Sequence, residues 1–167
     1  MTPKPALSRL AVLAAFSLLL TPALTAQNSG RGFLKAQAGS TFTDGEANLT
    51  ASGGFGVRIT DSLDLFAEAG TIRNTCDFGV LGSRITLPLR SVLTPFFEIG
   101  GGAGRLAPNL RSELQRMDTR FMLTASGGIH LAATRRFGFD FAYRYLRISA
   151  NNAVSRSQLY AGIVYRF

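Results

Sequence analysis

The side chains that could do chemistry in this chain are one histidine, one cysteine and a series of charged residues that recur on one parity of successive segments. The charged series is Lys35, Arg58, Asp64, Glu68, Arg84, Glu98, Arg120, Asp140, Arg144 and Arg166. Opposite charges gathered away from water form an ionic cluster, whose work is cohesion and not turnover. His130 would serve as a general base only with a nucleophile in hydrogen-bond reach, and its surroundings in the sequence offer none. An inward, structural histidine is expected. Cys76, beside Asp77, is expected in a turn as a free, exposed thiol, since a lone cysteine has no internal disulfide partner. Gly100-Gly101-Gly102-Ala103-Gly104 looks like a phosphate loop but lacks the Gly-Lys-Ser/Thr ending, so glycines that relieve crowding on a curved strand are expected instead. No cofactor or metal is expected.

Strands must position these residues. From Arg156 to Phe167 the chain alternates with period two, setting Leu159, Ala161, Ile163, Tyr165 and Phe167 against Arg156, Gln158, Tyr160, Gly162, Val164 and Arg166. The same alternation recurs seven times upstream. Strands are expected at Gly32–Phe42, Asn48–Thr60, Leu63–Arg73, Phe78–Leu89, Thr94–Leu106, Asp118–Leu131 and Arg136–Ile148. The seventh is the clearest, with Phe137, Phe139, Phe141, Tyr143 and Tyr145 on one face. Asp44-Gly45 and Asp61-Ser62 mark tight turns. Residues 107–117 form the longest connection, with one helical turn expected at Arg111 to Arg116.

Upstream of all this, residues 1–26 read as a cleaved export signal. Lys4 and Arg9 make a basic start, Leu10 to Leu20 an apolar stretch, and Ala26 a small residue before the cut. The apolar stretch is too short to span a bilayer. Cleavage leaves a 27–167 domain whose net charge falls from +8 to +6 with the loss of Lys4 and Arg9. Export and the scatter of the arginines exclude nucleic acid as a partner.

Two properties choose between a soluble and a membrane barrel. The charged face would be the core of a soluble sandwich, and burying that many ions without pairing costs several kcal/mol each. The connections also alternate in length, short at 60–62, 89–93 and 132–135 and longer at 107–117 and 149–155, as in barrels with short periplasmic turns. The expected fold is therefore all-β: an eight-stranded, antiparallel, up-and-down transmembrane β-barrel with the charges inside. Hairpin pairing sets Arg58 opposite Asp64 and Arg84 opposite Glu98. An ionic core Glu68–Arg84–Glu98 is expected in the lumen, joined by Asp140 and Arg144 on the seventh strand.

YAGIVYRF at the end of the sequence, FGFDFAYRYL in strand seven and LTPFFEIGGGAG after a turn resemble the eight-stranded outer membrane barrels of the OmpA/OmpX type. That resemblance covers residues 27–167. It implies outer membrane localisation and insertion by the barrel-assembly machinery, with Tyr165 and Phe167 similar to the assembly signal. It further implies a monomer with a non-enzymatic role in envelope integrity or surface interaction. A small-solute pore is the alternative, and a lipid-modifying enzyme a more distant one. Some barrels of this size act on lipid A, one class through a His-x-Ser arrangement, but Leu131 and Ala132 follow His130 here. Membrane lipid and lipopolysaccharide are the expected partners, the latter through Arg105, Arg111, Arg116 and Arg147 at the outer edge.

Overall fold

A strand with one aromatic face and one charged face is satisfied only where the sheet it joins separates two unlike surroundings. The computed structural model describes residues 32–43, 46–73, 75–87, 89, 92–106, 119–149 and 154–167. The expected export signal, Arg111, Arg116 and the helical turn between them lie outside the described residues. Eight strands follow one another: β1 (Gly32–Thr43), β2 (Glu46–Thr60), β3 (Leu63–Ile72), β4 (Cys76–Thr86), β5 (Leu93–Leu106), β6 (Thr119–Ala132), β7 (Phe137–Ile148) and β8 (Val154–Arg166). Each pairs antiparallel with the next, and β8 returns to β1, closing an up-and-down barrel. Along the closing seam Phe33 faces Arg166 and Phe42 faces Ser157, while Gly32 and Phe167 exchange backbone hydrogen bonds of 3.2 and 3.0 Å. Closure leaves no sheet edge, so every ladder has its partner.

The end that holds Gly32 and Phe167 is called the base, and the opposite end the rim. Two of the base turns use one device. Thr60 Oγ1 accepts from the backbone N–H of Ser62 and Leu63 (3.3 and 3.1 Å), and Thr134 Oγ1 accepts from Arg136 and Phe137 (3.2 and 2.9 Å). A hydroxyl that ties down the next two or three amides reverses the chain without a long loop. Between Arg58 and Thr60 the β2–β3 register shifts, so Ile59 is a bulge next to the first of these turns.

The fourth strand differs from expectation. It runs Cys76–Thr86 in place of Phe78–Leu89. The rim turn before it is tight, closed by Thr75 N–H on the Ile72 carbonyl at 3.0 Å, and Cys76 and Asp77 already pair with Leu106 and Arg105 of β5. Cys76 is therefore a buried strand residue, 3% exposed, and not a surface thiol available to bridge two chains.

Polarity is inverted relative to a soluble domain. β7 alternates exposed and buried at every position, with its aromatic residues outside and Asp140 and Arg144 inside. Leu49, Leu81, Phe97, Ile99, Phe121, Leu159 and Ile163 are likewise exposed, on five of the other strands. Lys35, Asp64, Glu68, Arg84 and Glu98 are buried within the ring. Apolar exposure all round a closed barrel suits lipid, and in water it would drive association.

Candidate functional site in the barrel lumen

The base half of the lumen holds a continuous network of ions. Arg144 on β7 reaches across to Glu68 on β3 with two hydrogen bonds of 2.5 and 2.9 Å, and a third of 3.3 Å goes to Gln37 on β1. Lys35 on β1 lies 2.7 Å from Glu68 and 3.5 Å from Glu98. Arg84 on β4 forms a forked pair with Asp140 on β7 at 2.5 and 3.2 Å, and its guanidinium is also 3.5 Å from Glu98. His130 Nδ1 closes on the same Asp140 carboxylate at 2.6 Å. Glu98 is the hub between the two forks: Lys35, Arg84 and Arg144 surround it, and the hydroxyls of Ser126 and Tyr160 donate to it at 3.2 and 3.3 Å. Forked arginine–carboxylate pairs are the stronger kind of ionic contact and also fix geometry.

Register explains which expected partners meet. Arg58 does face Asp64 across the β2–β3 hairpin, but at 3.5 Å and with the Arg58 side chain 36% exposed, so the pair is weak. Arg84 does face Glu98. Glu68 belongs elsewhere than expected: the β3–β4 register sets it beside Val80, while Asp64 is the residue beside Arg84. Glu68 is consequently held by Arg144 and Lys35, and the ionic core is a larger assembly than Glu68–Arg84–Glu98. Tyr165 and Phe167 lie outside the lumen, at the base, where Phe137, Tyr165 and Phe167 make a row of rings with centroids 4.9 and 6.2 Å apart.

Beneath the cations lies a layer that the charges alone do not reveal. Lys35 sits 3.9 Å from the centroid of the Phe66 ring, Arg84 3.7 Å from Phe96 and Arg144 4.7 Å from Tyr160. Cations over ring faces gain most where water is excluded. The Phe66 ring in turn rests where Gly82 has no side chain: a Cβ there would lie 2.7 Å from the ring tip and 2.5 Å from the Ile99 carbonyl. Glycine seats aromatic ring, ring seats cation, and cation holds carboxylate. The sequence signal was the inward parity of Phe66 and Phe96, which break the pattern of aromatic residues outside.

Toward the rim the filling changes. Ile72, Cys76, Phe78, Val80, Met122, Leu146 and Ile148 belong to a buried apolar cluster. On the other side Thr41 and Thr50 share a hydrogen bond of 2.6 Å, and Gln158 donates to both at 2.8 and 3.3 Å. Met122 and Leu146 are fully buried. A barrel of eight strands is only wide enough for its own side chains or one small ligand.

As chemistry, the lumen offers cohesion. His130 and Asp140 resemble two parts of a hydrolytic triad, yet Asp140 is also committed to Arg84, and Gly138 lies against the imidazole edge. Ser126, the serine buried nearby on β6, donates to Glu98. Among the described residues no cluster of His, Cys, Asp and Glu has the makings of a metal site.

No protein-family model matches the sequence, and no curated protein matches it. Solved structures do match. Neisserial surface protein A (NspA) superposes with a TM-score of 0.62 at 20% identity, over 83% of this chain and 98% of that one. The N-terminal β-barrel domain of Pseudomonas aeruginosa OprF gives 0.61 at 15% identity, over 81% and 97%. The outer membrane enzyme PagL gives 0.55 at 14% identity, over 80% and 98%. These likenesses carry the fold: the chain folds as the eight-stranded outer membrane barrels do. One of the three is an enzyme, so the fold by itself does not decide catalysis.

Proposed function

We propose that the chain is an integral outer membrane barrel with a non-enzymatic role, contributing to envelope integrity or to interaction at the cell surface. The observation that carries this reading is the inverted distribution of polarity, an apolar exterior around a lumen filled by paired ions. Among the described residues, large side chains from facing strands meet across the ring, in a barrel only wide enough for its own side chains or one small ligand, which favours a structural barrel over a small-solute pore. The commitment of Asp140 to Arg84 and of Ser126 to Glu98 argues against turnover at His130. Insertion by the barrel-assembly machinery, with Tyr165 and Phe167 at the base as its signal, belongs to the same proposal, as does a monomeric state.

Gel mobility with and without boiling, on protein from an outer membrane fraction, tests location. A folded membrane barrel resists SDS until heated because all its backbone bonds close within the ring, so a mobility shift is expected. A soluble periplasmic protein with no shift would overturn the reading. Planar-bilayer recording of the refolded chain tests the lumen, with no discrete conductance steps expected.

A further inference from the structure

The lipid-facing wall is not uniform. Over β7 and β8 it is bulky, with Phe139, Phe141, Tyr143, Leu159 and Ile163 all exposed. Across β2 to β6 it is hollow: a groove of about 730 Å³ lies between Phe55, Leu65, Leu81, Ile99 and Leu123. A smaller hollow of about 280 Å³ continues it rimward over Gly53, Ala67, Ala69 and Gly79.

Barrel packing does not require this hollow. Two inward glycines facing the β4–β5 ladder are forced: a Cβ on Gly82 would lie 2.5 Å from the Ile99 carbonyl oxygen, and one on Gly102 would run into the carbonyl of Gly79. The outward ones are not. A Cβ on Gly79 would meet nothing within 4 Å, on Gly53 nothing closer than 3.8 Å, and on Gly101 nothing closer than 3.6 Å. Side chains would fit at these three positions, and their absence keeps the groove open.

What lies at the rim end of the groove indicates the occupant. Arg73 follows β3 and Arg105 lies on β5, both exposed and on the outward parity of Ala69 and Gly101. Each is four residues further rimward, about 13 Å at ~3.3 Å per residue. Asp77 has the same outward parity and is the register partner of Arg105, so the three side chains sum to one positive charge. An apolar channel beneath a cationic edge matches an amphiphile with an anionic head and a long acyl tail.

We propose that this groove seats an acyl chain of a phosphorylated glycolipid of the outer leaflet, lipopolysaccharide in kind, with a phosphate at Arg73 and Arg105. The proposal rests on the outer membrane reading above, with the rim facing outward. The test uses the folded full chain in detergent, with bisphosphorylated lipid A and its dephosphorylated form as probes, and retained lipid read by native mass spectrometry. Wild type should retain the bisphosphorylated probe. Gly79→Leu with Gly101→Leu should reduce retention of both probes by about tenfold or more while keeping the heat-dependent gel shift. Arg73→Ser with Arg105→Ser should reduce retention of the bisphosphorylated probe by about tenfold and leave the other unchanged. Arg135→Ser, an exposed arginine in the base turn before β7 and at the opposite end of the barrel from Arg73 and Arg105, should change neither. Unaltered retention in the filled variant, with its gel shift intact, overturns the proposal. So does a wild-type dimer that becomes a monomer when the groove is filled, which would make the wall a protein interface. A wild type with no heat-dependent shift instead overturns the membrane reading itself.

Discussion

The two halves of the lumen are closed by opposite means. Near the base, ions from β1, β3, β4, β5 and β7 interlock around Glu98. Near the rim, Ile72, Phe78, Met122, Leu146 and Ile148 close one side of the same space by apolar contact, and the neutral Thr41, Thr50 and Gln158 close the other. Apolar filling is non-directional, and its loss costs roughly what each side chain contributes. An ionic network is directional and indivisible, because removing one partner strands the charge of another. The base half should therefore fix the shape of the barrel, while the rim half should tolerate change in proportion to volume.

The largest effect should come from the base. Arg144→Met leaves Glu68 with Lys35 alone and should lower stability by about 3–5 kcal/mol, measured as the urea midpoint of the heat-shiftable gel band. Adding Glu68→Gln to that variant should recover part of the loss. If the two changes simply add, the network is not indivisible and the contrast with the rim fails. Met122→Ala should cost somewhat less, about 2–4 kcal/mol, and should combine additively with substitutions in the base half. Tyr160→Phe keeps the ring over Arg144 and removes only the hydroxyl that donates to Glu98. It should cost about 1 kcal/mol in the same titration. Smallest is Tyr145→Phe on the outer wall, whose hydroxyl bonds exposed Ser155 at 2.6 Å. A change within about 0.5 kcal/mol is expected there, and a larger one would shift weight from the lumen to the wall.

Period-two alternation is a local property, which is why all eight strands and the inside–outside assignment of Arg84, Asp140 and Arg144 could be read from the sequence. Register through short turns is nearly local, and so Arg58 opposite Asp64 and Arg84 opposite Glu98 were legible too. Contacts across the lumen were not. Arg84 meets Asp140 over 56 residues and Arg144 meets Glu68 over 76, and those encounters depend on how far the strands tilt when the ring closes. Cys76 was misplaced for a smaller reason: the turn between β3 and β4 is tighter than expected, and two residues assigned to it belong to the ladder. The outward glycines carry no periodic signal of their own, so the groove emerged only from the assembled wall.

The β1–β8 seam has a kinetic consequence. Phe33 finds Arg166 and Phe42 finds Ser157 only after the whole intervening chain has been laid out, so the last ladder to form has the highest contact order in the molecule. Until it forms, two unpaired edges and a half-enclosed set of ions face whatever surrounds the nascent sheet. Hairpin zippering can build the seven sequential ladders quickly, but the closing event is a single long-range collision whose rate should govern assembly. A catalyst that held β1 and β8 side by side would speed folding without altering the final stability.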